Sequence, residues 1–138
     1  MPARDLYHDA VRNALIKDGW TITHDPYRLP IGQRTVYVDL GAERMIAAEK
    51  DLVRIAVEVK TFIGLSDLHA LENAVGQFAF YRSLMTRVDP ERQLYLAVPQ
   101  SVREGLLQEP IARPVLEDLN ITVLAFDPTR EVITTWKV

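Results

Sequence analysis

The chain has 138 residues, 48% of them hydrophobic and 25% charged, with a net charge of −3. That is one domain's worth of chain, residues 1–138, with enough apolar residues for a core. The absence of cysteine excludes disulfides, thiolate metal sites and a cysteine nucleophile. No apolar run approaches the ~20 residues of a membrane span, and no signal-type apolar segment follows Met1, so a soluble cytoplasmic protein is expected. A pI of about 5.6 gives no global positive field towards nucleic acid, so any such contact needs a local basic patch or a partner's surface.

In chain order, Arg4 to Asp18 reads as a helix, with Leu6, Ala10, Ala14 and Ile16 beside Tyr7, Val11 and Leu15 in an apolar stripe. Gly19 stands in the position of a C′ cap. Trp20 to His24 is β-rich and stops at Asp25-Pro26. Residues 25–34, with Pro26, Pro30 and Gly32, read as a loop. Strands are expected at Thr35–Leu40, Arg44–Glu49 and Val53–Lys60 as a meander, with a polar turn at Lys50-Asp51. Gly64 ends that block, and Ser66 is the candidate N-cap of a long helix reaching Arg87. Leu94–Val98 is a short buried strand. Ser101 to Leu119 is helical in two pieces, interrupted by Pro110 and Pro114. Ile121–Phe126 and Glu131–Trp136 are strands around an Asp127-Pro128 turn. The order α-β-β-β-α-β-α-β-β predicts an α/β (α+β) fold, a central mixed sheet flanked by helices.

Chemistry concentrates between Asp39 and Lys60. Side chains at i and i+2 of a strand share a face, so Glu58 and Lys60 point together while Val57 and Val59 point the other way. If the runs ending at Leu40 and Lys60 are neighbouring strands, Asp39 meets Glu58 and Lys60 at the end of a sheet. Two carboxylates and a lysine there would suit a divalent hard cation, which prefers oxygen ligands. Such an ion polarises phosphoryl oxygens and lowers the pKa of water. A Glu and a Lys on an exposed strand face usually just meet water; Asp39, and Gln77 and Tyr81 one helical turn apart on the next helix, make this combination more specific.

The amphipathic first helix, the meander with D…ExK, the long helix and the following strand resemble the core of the PD-(D/E)XK nuclease superfamily, a restriction-endonuclease-like fold. That resemblance implies a Mg2+ (or Mn2+) ion on Asp39, Glu58 and the backbone carbonyl of Val59, with Lys60 orienting or activating the attacking water. Gln77-Phe-Ala-Phe-Tyr81 resembles the QxxxY motif of RecB-type members and implies substrate alignment by Gln77 and Tyr81. The residue before Asp39 is Val38 rather than proline. Glu43 and Glu49 lie between the motif residues, each a candidate to replace or supplement a ligand.

A longer resemblance spans nearly the whole chain. YHDAVRNALIKDGWTITHDP, YVDLGAERMIAAEK, IAVEVKTFIG, GQFAFYR, LYLAVP and the closing FDP with its tryptophan are similar to the XisH family, the fdxN element excision controlling factors. It implies a role in programmed DNA element excision, DNA as partner, and an XisI-type protein and a site-specific recombinase as associates. Many enzymes of the nuclease fold act as dimers, which implies a homodimer. Two function classes follow: a magnesium-dependent endonuclease, or a catalytically inactive nuclease-fold scaffold that regulates the recombinase or binds the XisI-type partner.

Other residues carry blander expectations beside sharper ones. Asp9 is a candidate accessory acid near the site, or half of a weak pair with Arg12. His8 reads as part of a solvated helix face, and His24 and Asp25 as a turn. Phe78 reads as core, while Phe78, Phe80 and Tyr81 together could stack on single-stranded DNA. Arg28, Arg34, Arg82 and Arg87 are candidate phosphate contacts, and Trp136 is either core or an interface anchor.

Overall fold

The computed structural model describes residues 5–46, 51–62 and 67–136. In chain order the elements are α1 (His8–Lys17), β1 (Thr21–His24), β2 (Tyr27–Ile31), β3 (Arg34–Val38), β4 (Leu40–Ile46), β5 (Asp51–Val59), α2 (Asp67–Val88), β6 (Arg92–Pro99), α3 (Gln100–Glu104), a 3-10 turn (Leu106–Gln108), α4 (Arg113–Asp118), β7 (Val123–Asp127) and β8 (Val132–Trp136). Six strands form one mixed sheet in the order β1-β4-β5-β6-β7-β8. The central strands β5, β6 and β7 are parallel, joined by helical crossovers as parallel pairing requires. The flanking pairs β1/β4, β4/β5 and β7/β8 are antiparallel.

The alternation of apolar residues builds a core on each face of this sheet. Ala56 on β5 and Leu94, Leu96 and Val98 on β6 pack with Leu71, Ala74, Phe78 and Met85 of α2. Ile55, Val57 and Val59 of β5 face the other way, onto Val11 and Leu15 of α1. α1 touches both β1 and β8, so the sheet curls until its edges meet. Trp20, just before β1, lies 5.6 Å from Trp136 of β8, and both indole N–H groups donate to Asp18 Oδ2. Trp136 is therefore part of this edge-to-edge seam, packed also on Tyr95. No helix among the described residues is long and apolar enough to cross a membrane.

The mixed sheet between helices agrees with the expected fold class, but the early strands differ from the expected meander. Residues 25–34 contain β2, which pairs with β3 across Gly32-Gln33, Ile31 opposite Arg34. Gly32 has φ +60°, the glycine-first turn that matches strand twist. Pro30 is tolerated because the two-stranded ribbon consists of edges only. The expected strand Thr35–Leu40 breaks at Asp39, where the chain leaves the ribbon and enters the main sheet as β4. Arg44 therefore continues a strand that began at Leu40. Tyr27, Leu29 and Val38 fix the ribbon on the α2 side of the core, and Gly41 lies under His24 and Tyr27, where a Cβ would meet ring and side-chain atoms at 3.0–3.2 Å.

Boundaries elsewhere shift for local reasons. α1 begins at His8, and Gly19 closes it with φ +94°, as a C′ glycine does. β5 already begins at Asp51, where a turn was expected. The third helical region breaks after Glu104 at Gly105 rather than at Pro110, and Pro114 lies in the first turn of α4, where proline is favoured. The Asp127 turn is held by Asp127 Oδ1, which accepts from the N–H groups of Thr129 and Arg130. Gly64, the Ser66 cap, and Lys50 of the expected turn lie outside the described residues.

Phe78 is fully buried and ties α2 to the sheet. Truncation to alanine should cost about 3–5 kcal/mol, measured as a lowered urea midpoint with unchanged slope. A loss below about 1 kcal/mol would mean that α2 is not held through this contact.

Candidate functional site

The break at Asp39 sets the site. β4 and β5 pair from Ile46↔Asp51 to Leu40↔Val57, so the next residues, Asp39 and Glu58, face each other across the end of the ladder. Beyond that point β4 offers no further carbonyl, and the Asp39 carboxylate takes its place: Val59 N–H donates to Asp39 Oδ2 at 2.8 Å. In return, Asp39 N–H donates to Glu58 Oε1 at 3.3 Å. Lys60 Nζ lies 3.8 Å from Glu58 Oε2, on the same side as Glu58 as strand alternation requires. Its backbone N–H is fixed to Ala97 O on β6.

Burial and like charge dominate the electrostatics. Glu58 is 7% exposed, and this burial, reinforced by the Asp39 charge, pushes its carboxyl up to about 8; Lys60 opposes the shift and does not overcome it. Burial raises Asp39 too, against the Val59 N–H, His8 and Lys60, while Asp5 adds to the rise. Two opposed carboxylates of this kind resist ionising together.

Tyr81, on the α2 face over β5, senses the pair directly. Burial first, then Glu58 and Asp39, push its phenol up to about 12. Gln77 lies one turn earlier, partly buried, and its Oε1 has no hydrogen-bond partner. On the α1 side, Asp5 Oδ2 accepts from Thr61 N–H and Oδ1 from Tyr7 N–H. This stitches the start of the first helix to the residue after Lys60. His8 is 3% exposed, with Nε2 2.7 Å from Asp25 Oδ1, and Asp25 Oδ2 lies 3.3 Å from Arg12 Nε.

The structure thus brings together Asp39, Glu58, Lys60 and Tyr81, with Gln77 beside them and Val59 as the last residue of β5. It does not bring Glu43, four residues along β4 and paired with Arg54. Asp9 is on the exposed side of α1, and the nearby acid that acts on Asp39 is Asp5, just before α1. Glu49 lies outside the described residues. His8 is a buried, bonded residue rather than part of a solvated face, because it shares the inward stripe with Val11 and Leu15 at i+3 and i+7. Asp25 is its anchor rather than merely a turn residue. Thr61 was missed for want of any local signal. Arg82 donates to Asn120 O over the Phe78 ring, and Arg87 to Ser83 O, so both serve the surface of α2. Arg28 and Arg34 are exposed on the ribbon. Phe78 is core and Phe80 is exposed.

Among the described residues, no three of His, Cys, Asp and Glu are placed to hold a metal between them. The converging oxygens of Asp39 and Glu58 offer two carboxylates, which is what Mg2+ commonly takes from a protein. A divalent cation would also relieve their repulsion. The residues present therefore suit such an ion.

The family model described as XisH protein matches residues 1–134. The crystal structure of an XisH family protein from Nostoc punctiforme PCC 73102 is 36% identical, with a TM-score of 0.87 over 97% of this chain and 100% of that one. That of an fdxN element excision controlling factor protein from Anabaena variabilis is 35% identical, with a TM-score of 0.87 over 98% and 100%. No curated protein matches.

Folded Glu58 keeps its proton to about pH 8, whereas the unfolded chain releases it near 4.5. Between these values the folded state binds more protons, so its stability is full below 4.5 and declines as pH rises to 8. Glu58→Gln should remove much of that decline, gaining on the order of 2 kcal/mol at pH 8 and little at pH 4.5. Urea unfolding from about pH 4 to pH 9 measures it; an unaltered pH profile in the variant would show that Glu58 ionises freely in the fold.

Proposed function

The chain belongs to the XisH family, and on that premise we propose that it is a metal-dependent DNA endonuclease acting in programmed DNA element excision, with its site at Asp39, Glu58 and Lys60. The observation that carries the reading is the register: two carboxylates opposed at the end of β4 and β5, with a lysine amine 3.8 Å from one of them. A pair that ionises reluctantly by itself gains from a cation, and one solved relative is named an fdxN element excision controlling factor.

Asp39 and Glu58 would hold Mg2+ or Mn2+, with the Val59 carbonyl as a further oxygen. That ion, when bound, supplies charge stabilisation at the phosphoryl oxygens and a lowered pKa for water. The chain's own part is positional. Val59 N–H fixes the Asp39 carboxylate, Asp39 N–H fixes that of Glu58, and Lys60 Nζ orients the attacking water beside Glu58. Tyr81, its phenol protonated at neutral pH, and Gln77 are placed to donate to a substrate phosphate.

DNA as substrate is favoured by the ribbon that leads into Asp39. From Tyr27 to Val38 it has two arginines and no acidic residue, in a chain of net charge −3. Its inner face is buried at Tyr27, Leu29 and Val38, Arg28 stands on its outer face and Arg34 is exposed beside the turn, a two-stranded element of the kind that lies along a DNA groove. A second reading, an inactive scaffold that binds an XisI-type protein or a recombinase, is favoured by the lack of a three-ligand metal cluster among the described residues.

Supercoiled plasmid incubated with Mg2+ or Mn2+ tests the reading. Asp39→Asn should lower nicking about 100-fold or more, the scale of several kcal/mol of lost charge stabilisation. Its melting temperature should stay near that of the wild type, and metal-independent or undiminished nicking would remove Asp39 from the site. Separately, Arg28→Ala with Arg34→Ala should flatten the slope of log affinity against log salt for duplex DNA by about 2, read by fluorescence anisotropy. An unchanged slope would take the ribbon out of DNA binding.

A further inference from the structure

Resting on that reading, we infer that Asp5 is a positioning residue for Lys60: its carboxylate holds the backbone that carries the lysine and so sets where the amine stands. β5 ends at Val59, and its ladder with β4 closes at Leu40↔Val57. The three amides at and beyond that end are nevertheless bonded. Val59 N–H donates to Asp39 Oδ2 at 2.8 Å, Lys60 N–H to Ala97 O at 2.9 Å, and Thr61 N–H to Asp5 Oδ2 at 3.1 Å. Thr61 is 7% exposed, and a buried amide needs an acceptor. Asp5 supplies it from outside the sheet, while its other oxygen, Oδ1, accepts from Tyr7 N–H at 3.2 Å.

Two of these bonds bracket Lys60. The N–H of Lys60 belongs to the peptide plane before its Cα, and that of Thr61 to the plane after it. Peptide planes are rigid, so holding both fixes φ and ψ of Lys60 and with them the direction of its Cα–Cβ bond. A lysine stem is long and flexible, and a fixed root confines the amine to the neighbourhood in which it lies 3.8 Å from Glu58 Oε2. The next residue, Phe62, has φ +64°, a left-handed conformation that a bulky side chain rarely adopts, and it packs on the α2-side core. Such strain persists only where the surroundings hold it, and the Asp5 bond lies between it and Lys60. Asp39 and Glu58 are fixed by their own exchange of hydrogen bonds. The carboxylate pair and the lysine are thus positioned by separate devices.

Two variants that remove the same charge test this, since Asp5→Ala leaves no acceptor and Asp5→Asn keeps one acceptor oxygen. In Asp5→Ala, hydrogen exchange of the Thr61 amide should speed up about tenfold or more. Nicking of supercoiled plasmid at saturating Mg2+ should slow on the order of 10–100-fold, the scale on which small misplacements act. Calorimetric Mg2+ affinity should stay close to that of the wild type, a split that general loosening of the site would not give. In Asp5→Asn, nicking should recover to the extent that protection of the Thr61 amide does, and this variant decides the matter if the alanine variant fails to fold. Wild-type nicking with the Thr61 amide unprotected, or equally slow nicking in an asparagine variant that protects it, would overturn the role of Asp5 and leave the site at Asp39 and Glu58 standing. Wild-type protein that fails to nick with Mg2+ or Mn2+ would overturn the proposed cleavage itself, and the role of Asp5 with it.

Discussion

The fold turns on one exchange of hydrogen bonds, Asp39 N–H to Glu58 Oε1 and Val59 N–H to Asp39 Oδ2. It lies where the chain stops being part of the ribbon and becomes part of the sheet. A strand that changes sheets must abandon one ladder before it can join another, and the amides stranded at the crossing need acceptors. Here the carboxylates serve. Asp39 closes the last amide of β5, Glu58 closes the first amide of the turn, and the register Leu40↔Val57 is locked. A slip of one residue would send Val57 and Val59 out of the α1-side core and Glu58 into it.

The same exchange concentrates charge where the sheet ends. Opposed carboxylates in a buried register are unfavourable in themselves, and Lys60 at 3.8 Å offsets the repulsion only in part. Stability is thereby traded at one point of a structure whose two cores are otherwise conventionally apolar. Asp5, before the first helix, and Asp25, after β1, extend this to either end of α1's surroundings, one binding Thr61 and the other fixing His8. α1 is therefore more than a cover for one face of the sheet, because the residues leading into it are bonded to the segment that follows Lys60.

The site's centre was legible because its signals are local. Alternation in IAVEVK places Glu58 with Lys60, a carboxylate ending an apolar run places Asp39, and helical spacing joins Gln77 to Tyr81. The ribbon was lost because Pro30 and Gly32 read as loop residues, although Tyr27 and Leu29 already alternate with Arg28 and Pro30. His8 carried a signal that was outweighed: it stands three and seven residues before Val11 and Leu15, on the stripe that faces inward. Asp5 and Thr61 had none. Their meeting depends on α1 crossing the curled sheet, a contact between residues 56 apart that no window of sequence contains.

The distribution of charge bears on how such a site would meet a polyanion. The acid-free ribbon occupies the residues immediately before Asp39, so the favourable potential is local and adjoins the carboxylates. The rest of the chain is acidic and repels DNA at longer range, an effect that physiological salt confines to about 8 Å. Two exposed arginines release few counterions, and non-specific affinity should be low. A cation at the carboxylates would reverse the sign of the potential where, on the proposed reading, a phosphate would sit. Metal binding and DNA binding are then coupled through charge alone, and the coupling is reciprocal: DNA on the ribbon must tighten the hold on the ion by the same factor. On the proposed reading, the site would hold DNA more tightly when loaded with its ion than when empty.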